Sequence, residues 1–165
     1  MRGNRPAPLT LPSLGAFVLA ARQRVEAELG VALIATGFHE ILDAAHPDAI
    51  RLARAPLIAV GAVSFTTTAG PVTLAPETYV ARIGARDAAI APAPNTVWPK
   101  PAPPLGGVRI DYTSGFGATA EDVPGPLKQA ILALVAYAYD HRGDPGAAPL
   151  ALVEPWLAPY RRMRL

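Results

Sequence analysis

No cysteine occurs in the 165 residues, which excludes disulfides, thiolate metal ligands and cysteine nucleophiles and fits a reducing compartment. Redox chemistry is not expected. Long apolar runs are missing as well, because Pro, Gly or Arg interrupts each one well short of the roughly 20 residues that a membrane helix needs. A soluble protein without a membrane partner is expected. The opening MRGNRPAPLTLP has two arginines but no long apolar segment ending in a small-residue cleavage site, so no signal peptide is read there. Excess charge is lacking too: the formal net charge is +2, and the pI near 9.2 owes much to arginines near the two ends. Nonspecific nucleic-acid binding draws little support from so small a charge.

What the sequence does hold is proline and glycine, 19 and 14 of them, and an apolar fraction of 51% swollen by alanine. Turns and extended connections must therefore be frequent, and the length suits one domain with a modest core. The clearest helix is Val123 to Arg142. Val123, Leu127, Ile131, Leu134, Val135 and Ala138 form one stripe, with Glu121, Asp122 and Pro124 suiting its start and Gly143 and Pro145 its end. A second helix is expected from a Ser13 cap through Leu14, Phe17, Val18, Ala21, Val25 and Leu29 to Gly30, preceded by an extended arm, residues 1–12. Between the helices the residues favour strands: one within Val31 to Leu42, the long Leu57 to Thr67, its hairpin partner Val72 to Leu74, then Tyr79 to Ile83, Ala88 to Ala91 and the alternating Val108 to Thr113. Pro92 to Gly107 holds six prolines and reads as an exposed extended loop. Pro149 to Arg161 reads as a short helix.

Catalytic constellations are absent from the pattern. His39, Glu40, Asp43 and His46 crowd together, but without HExxH spacing, and a strand followed by a turn would scatter them. Gly115-Phe116-Gly117 lacks the third glycine of a dinucleotide loop, and no motif links Ser64, Ser114 and His141 as nucleophile and base. No metal, cofactor or enzymatic activity is expected. The closing WLAPYRRMRL is different, since Trp156, Tyr160, Met163 and three arginines are of types common at protein interfaces. Two readings stay open for it, a partner-binding tail or a terminal helix docked on its own core.

Three stretches carry a resemblance: Tyr112-Thr113-Ser114-Gly115-Phe116-Gly117, then Val123-Pro124-Gly125-Pro126-Leu127-Lys128-Gln129-Ala130-Ile131, then Leu157-Ala158-Pro159-Tyr160-Arg161. In this order they resemble the head-tail connector (adaptor) proteins of tailed bacteriophages. That family has an aromatic-Gly-aromatic-Gly type turn, a helix opening V-P-x-x-[IL]-[KR]-x-A-[IL] and a closing L-x-P-[YF]-R. Ala21, Arg22, Glu26 and Gly30 also match its A-R-x-x-x-E-x-x-x-G first helix. The chain departs from the family where Ala136, Tyr137 and Tyr139 stand in place of a His-Trp-Tyr-like cluster, and in its shorter N-terminal helical region. An Ala-, Arg- and Pro-rich composition is that of a high-GC genome, so a prophage or a gene transfer agent is the implied source.

The resemblance implies an α+β fold: a small helical core of N-terminal, central and short C-terminal helices, with an antiparallel β insertion. It implies an arm at 1–12, an adaptor domain at 13–154 and a portal-binding tail at 155–165. The implied role is structural, in the neck of a phage-like particle assembled in the bacterial cytoplasm. There a homo-oligomeric ring, a dodecamer matching the portal, sits between the portal and the stopper or tail protein, with double-stranded DNA passing through without sequence-specific contacts. The residues implied at the portal are Trp156, Leu157, Pro159, Tyr160 and Arg161, followed by Arg162, Met163 and Arg164. The alternative is a small basic DNA-binding protein that uses the arginine tail and the Met1 to Arg5 arm.

Overall fold

In the computed structural model, residues 11–102, 105–141 and 150–161 are described. The first helix, α1 (Leu11–Leu29), starts ahead of the expected Ser13 cap because Pro12 fits a first turn, where an N–H has no intrahelical acceptor to lose. Of the expected arm, only Leu11 and Pro12 lie among the described residues, and both are helical. At the other end Gly30 takes φ 65°, the left-handed conformation that closes helices. The central helix, α2 (Gly125–Asp140), begins two residues after Val123. Glu121 and Asp122 do not cap it; they belong to a separate 3-10 turn, Ala120–Asp122. There the Asp122 carboxylate accepts from the Thr119 N–H at 2.9 Å and hydroxyl at 3.0 Å. The expected C-terminal helix is broken up. Pro155 and Pro159 each sit in a first turn, leaving a 3-10 turn Leu150–Leu152, the one-turn α3 (Glu154–Leu157) and a 3-10 turn Ala158–Tyr160.

Contacts divide the described chain into two units, one helical (residues 11–29, 124–141 and 150–161) and one β (30–123). The fold is α+β, with the β unit inserted between α1 and α2. In the helical unit α1 and α3 both pack on α2, burying Ala21, Val25 and Leu29 of α1, Leu127, Ala130, Leu134 and Val135 of α2, and Val153 and Leu157 at the C-terminal turn. Of the expected α2 stripe Leu127, Leu134 and Val135 are buried and Ile131 and Ala138 half-buried, Ala130 joins the buried set, and Val123, though buried, precedes the helix. The expected α1 stripe is buried only in its C-terminal half, for Leu14 and Val18 are exposed.

The β unit holds two antiparallel sheets. One has the order β1 (Thr36–Leu42), β7 (Val108–Ser114), β3 (Leu57–Thr67), β4 (Gly70–Thr73), and the other β2 (Ile50–Arg51), β6 (Ala89–Pro92), β5 (Tyr79–Ala81). Val108, Ile110 and Tyr112 of β7 alternate inward as their period predicts. They share one core with Val63 and Phe65 of β3 and with Ile50 and Ile90 of the smaller sheet. The short β2 has too few residues to show a period and escapes a reading from sequence.

Two features explain local sequence. The Ser114 to Gly117 turn is threaded between two segments: the Gly115 N–H donates to Pro56 O at 2.9 Å, the Phe116 N–H to Leu33 O at 3.2 Å, and the Ala35 N–H to Gly117 O at 2.7 Å. A Cβ on Gly115 would lie 2.5 Å from the Ala35 nitrogen, so this position admits only glycine. The proline-rich stretch, expected as an exposed loop, is pinned instead. The Trp98 ring stacks on Phe65 with centroids 5.8 Å apart, its Nε1–H donates to His46 O at 3.1 Å, and the Ala102 N–H donates to Thr66 O at 2.8 Å.

Candidate functional site

The C-terminal segment is built by two prolines that restart short turns and by one leucine that anchors them. Leu157 is 0% exposed and sits in the helical core, whereas its neighbour Trp156 is 38% exposed. Pro159 is exposed and Tyr160 half-buried. Arg161 Nη2 binds two carboxylates, Glu28 Oε1 at 2.7 Å on α1 and Glu154 Oε2 at 2.8 Å on α3. The hydrogen bond to Glu154 is the main reason its guanidinium is held above its ordinary pKa. Of the residues expected at the portal, then, Leu157 and Arg161 have partners inside their own unit, and Trp156 and Pro159 face outward. Arg162, Met163 and Arg164 lie outside the described residues. The docked reading of the tail therefore holds for Leu157 and Arg161 and leaves Trp156 and Pro159 exposed, because one helical turn points neighbouring side chains in different directions about its axis. The result is an aromatic platform held by a buried leucine and by ion pairs to two helices.

The other polar residues singled out in the sequence are occupied separately. His39 and Glu40 are consecutive on β1 and so point to opposite faces. His39 Nδ1 meets Asp111 Oδ1 on the outer face. Glu40 Oε2 accepts the Tyr112 hydroxyl and the Ala53 N–H, both at 2.9 Å, on the inner one. Asp43 Oδ1 accepts the Gly106 N–H at 2.8 Å, and His46 Nδ1 the Asp48 N–H at 3.3 Å. No set of three or more potential metal ligands converges among the described residues. The buried Ser114 hydroxyl donates to Arg54 O at 3.0 Å, Ser64 bonds Thr73 at 3.1 Å, and His141 Nδ1 lies 2.9 Å from Tyr137 O. The link from Glu40 to Tyr112 joins residues 72 apart in sequence. Only the register Phe38↔Tyr112, which puts Glu40 two residues along on the same face, could have foretold it.

No protein-family model and no curated protein sequence matches the chain. Among solved structures it is similar to a chain of the neck of a native gene transfer agent (GTA) particle computed with C12 symmetry. The TM-score is 0.79 at 29% identity, over 93% of this chain and 84% of that one. It is also similar to a chain of the neck of an empty GTA particle computed with C6 symmetry, with TM-score 0.78 and 26% identity over 98% and 85%. A chain of the virion of a native GTA particle matches at TM-score 0.78 and 27% identity, over 100% and 86%. No helix among the described residues is long and apolar enough to cross a membrane. By fold and by sequence together, the chain is similar to chains from the necks and virions of gene transfer agent particles, in keeping with the head-tail connector resemblance of its Tyr112–Gly117 stretch, central helix and closing segment.

Proposed function

We propose that this chain is a structural neck protein, an adaptor that forms a ring between the portal and the stopper or tail of a phage-like particle. The observation that carries the reading is the similarity along 93% or more of the chain to chains from GTA necks and virions. Those necks were computed with C12 and C6 symmetry, and a twelve-membered ring of this chain fits both, since twelvefold symmetry contains sixfold. On this reading double-stranded DNA passes through the ring without sequence-specific contacts, which a net charge of +2 per copy permits without tight holding. The role is one of binding and closure and calls on no catalytic group. The exposed Trp156 and Pro159, with the residues after Arg161, form the proposed portal contact, and the chain would act in the particle neck after assembly in the bacterial cytoplasm. Electron microscopy of particles made with and without the chain tests this. Its loss should leave filled, tailless heads, and tailed particles without it would refute the role.

A further inference from the structure

The first turns of α1 carry no charge at all: between Arg5 and Arg22 the sequence has none. Ordinary surface helices set charged residues opposite their apolar stripe. Here residues 14–20 are exposed all round except for a half-covered Phe17, and Leu14, Val18 and Leu19 are 39%, 42% and 52% exposed. A second helix shares the anomaly. The outward stripe of α2 runs through Gln129, Leu132 and Ala136, with Leu132 58% exposed, and α2 carries only Lys128 and Asp140 as charges in its 16 residues.

We infer that the first turns of α1 dock on the outward stripe of α2 of a neighbouring copy. The inference rests on the ring reading above. A ring is made by heterologous contacts, in which each copy offers two unlike surfaces that meet head to tail, and these two faces, the first without charge and the second with charge only at its ends, Lys128 and Asp140, supply such a pair on one unit. Nucleic acid would require basic residues on the face, which are absent, and a stretch of this length is about half what spans a bilayer. Gly15 and Ala16 on one helix and Ala136 on the other remove side-chain bulk, so the axes can approach at the close end of the usual range of about 8–10 Å. One helix crossing buries well under the roughly 800 Å² per partner of a standard stable interface, so free copies associate weakly and a template is needed to close the ring.

The absence of cysteine makes the test clean. Leu19→Cys and Leu132→Cys variants, one carrying a mass tag, are treated with a short bismaleimide separately and mixed, both at high concentration in solution and bound to portal-containing heads. Both sites are exposed, so folding should be unaffected, which circular dichroism checks. A cross-linked heterodimer in the mixture, with no dimer above background from either variant alone, is expected. Homodimers of the Leu19→Cys protein alone would mean that α1 meets itself and would overturn the pairing, as would no cross-linking in both settings. Heterodimers in solution from a protein that never joins heads would leave this contact standing and sink the neck reading, so the two failures are distinct.

Discussion

Trp156 and Leu157 are consecutive, yet one side chain is exposed and the other buried, and on the proposed reading substituting each by alanine separates folding from attachment. Leu157 is 0% exposed, so Leu157→Ala removes buried methyl groups and leaves a cavity at a cost of about 2–5 kcal/mol. For a chain of this size, about 2–4 °C per kcal/mol turns that into a fall in melting temperature of roughly 4–20 °C. Trp156 is 38% exposed and outside that core, so Trp156→Ala should cost less than about 1 kcal/mol of stability. If its ring is a central anchor on the portal, the same change weakens attachment by about 2 kcal/mol or more, near a 30-fold rise in Kd. Thermal melts report the first quantity, and titration of purified portal with labelled protein the second. A Trp156→Ala protein that binds portal as well as the parent, or that melts as early as Leu157→Ala, would refute the division of labour. Deletion of the chain after Arg161 should spare the melting temperature, because the Leu157 anchor and the Arg161 bridges to Glu28 and Glu154 are kept. Removal of everything after Glu154 should not, since it takes Leu157 away.

Leu134→Ala on α2, a residue 3% exposed, should cost about 2–5 kcal/mol in thermal or denaturant melts, and a loss below about 1 kcal/mol would mean the helix buries another face. Gly115→Ala should be among the most damaging single-methyl additions, at more than about 2 kcal/mol, since the new Cβ would lie 2.5 Å from backbone nitrogen. A Gly115→Ala protein that melts with the parent would disprove the close approach. Light scattering of the free protein at micromolar concentration should find monomers or weak associates, and a stable closed ring without portal would contradict the need for a template.

Periodic elements were legible in the sequence and compensated ones were not. The α2 stripe and the alternation of Val108, Ile110 and Tyr112 could be read directly, because burial on one face writes a period into the residues. Boundaries moved where proline acts through local geometry: Pro12 extends α1 to Leu11, and Pro155 and Pro159 divide the last helix into turns. Proline content reads as an exposed extended loop at 92–107, and what it does not convey is that Trp98 on Phe65 holds the stretch by a contact between residues far apart in the chain. At the C-terminus the residue types named an interface-like segment, but which of them face inward depends on one turn's rotation. Residue type therefore groups Leu157 and Arg161 with Trp156, although both have partners inside their own unit.

Pro71 of β4 pairs with Thr66, whose N–H is given to Gly107 on the far side, so the ring nitrogen of Pro71 sits where an amide would face outward from the sheet edge. The hairpin edge thus lacks a donor at the middle of its exposed rim and is a poor template for another strand. A protein that, on the proposed reading, stays apart until a template gathers it would gain from this. On that reading, crowded subunits would find the easy path to strand-by-strand polymers interrupted at that rim, and side-chain contacts, which come apart again, would be left to sort correct neighbours from wrong ones.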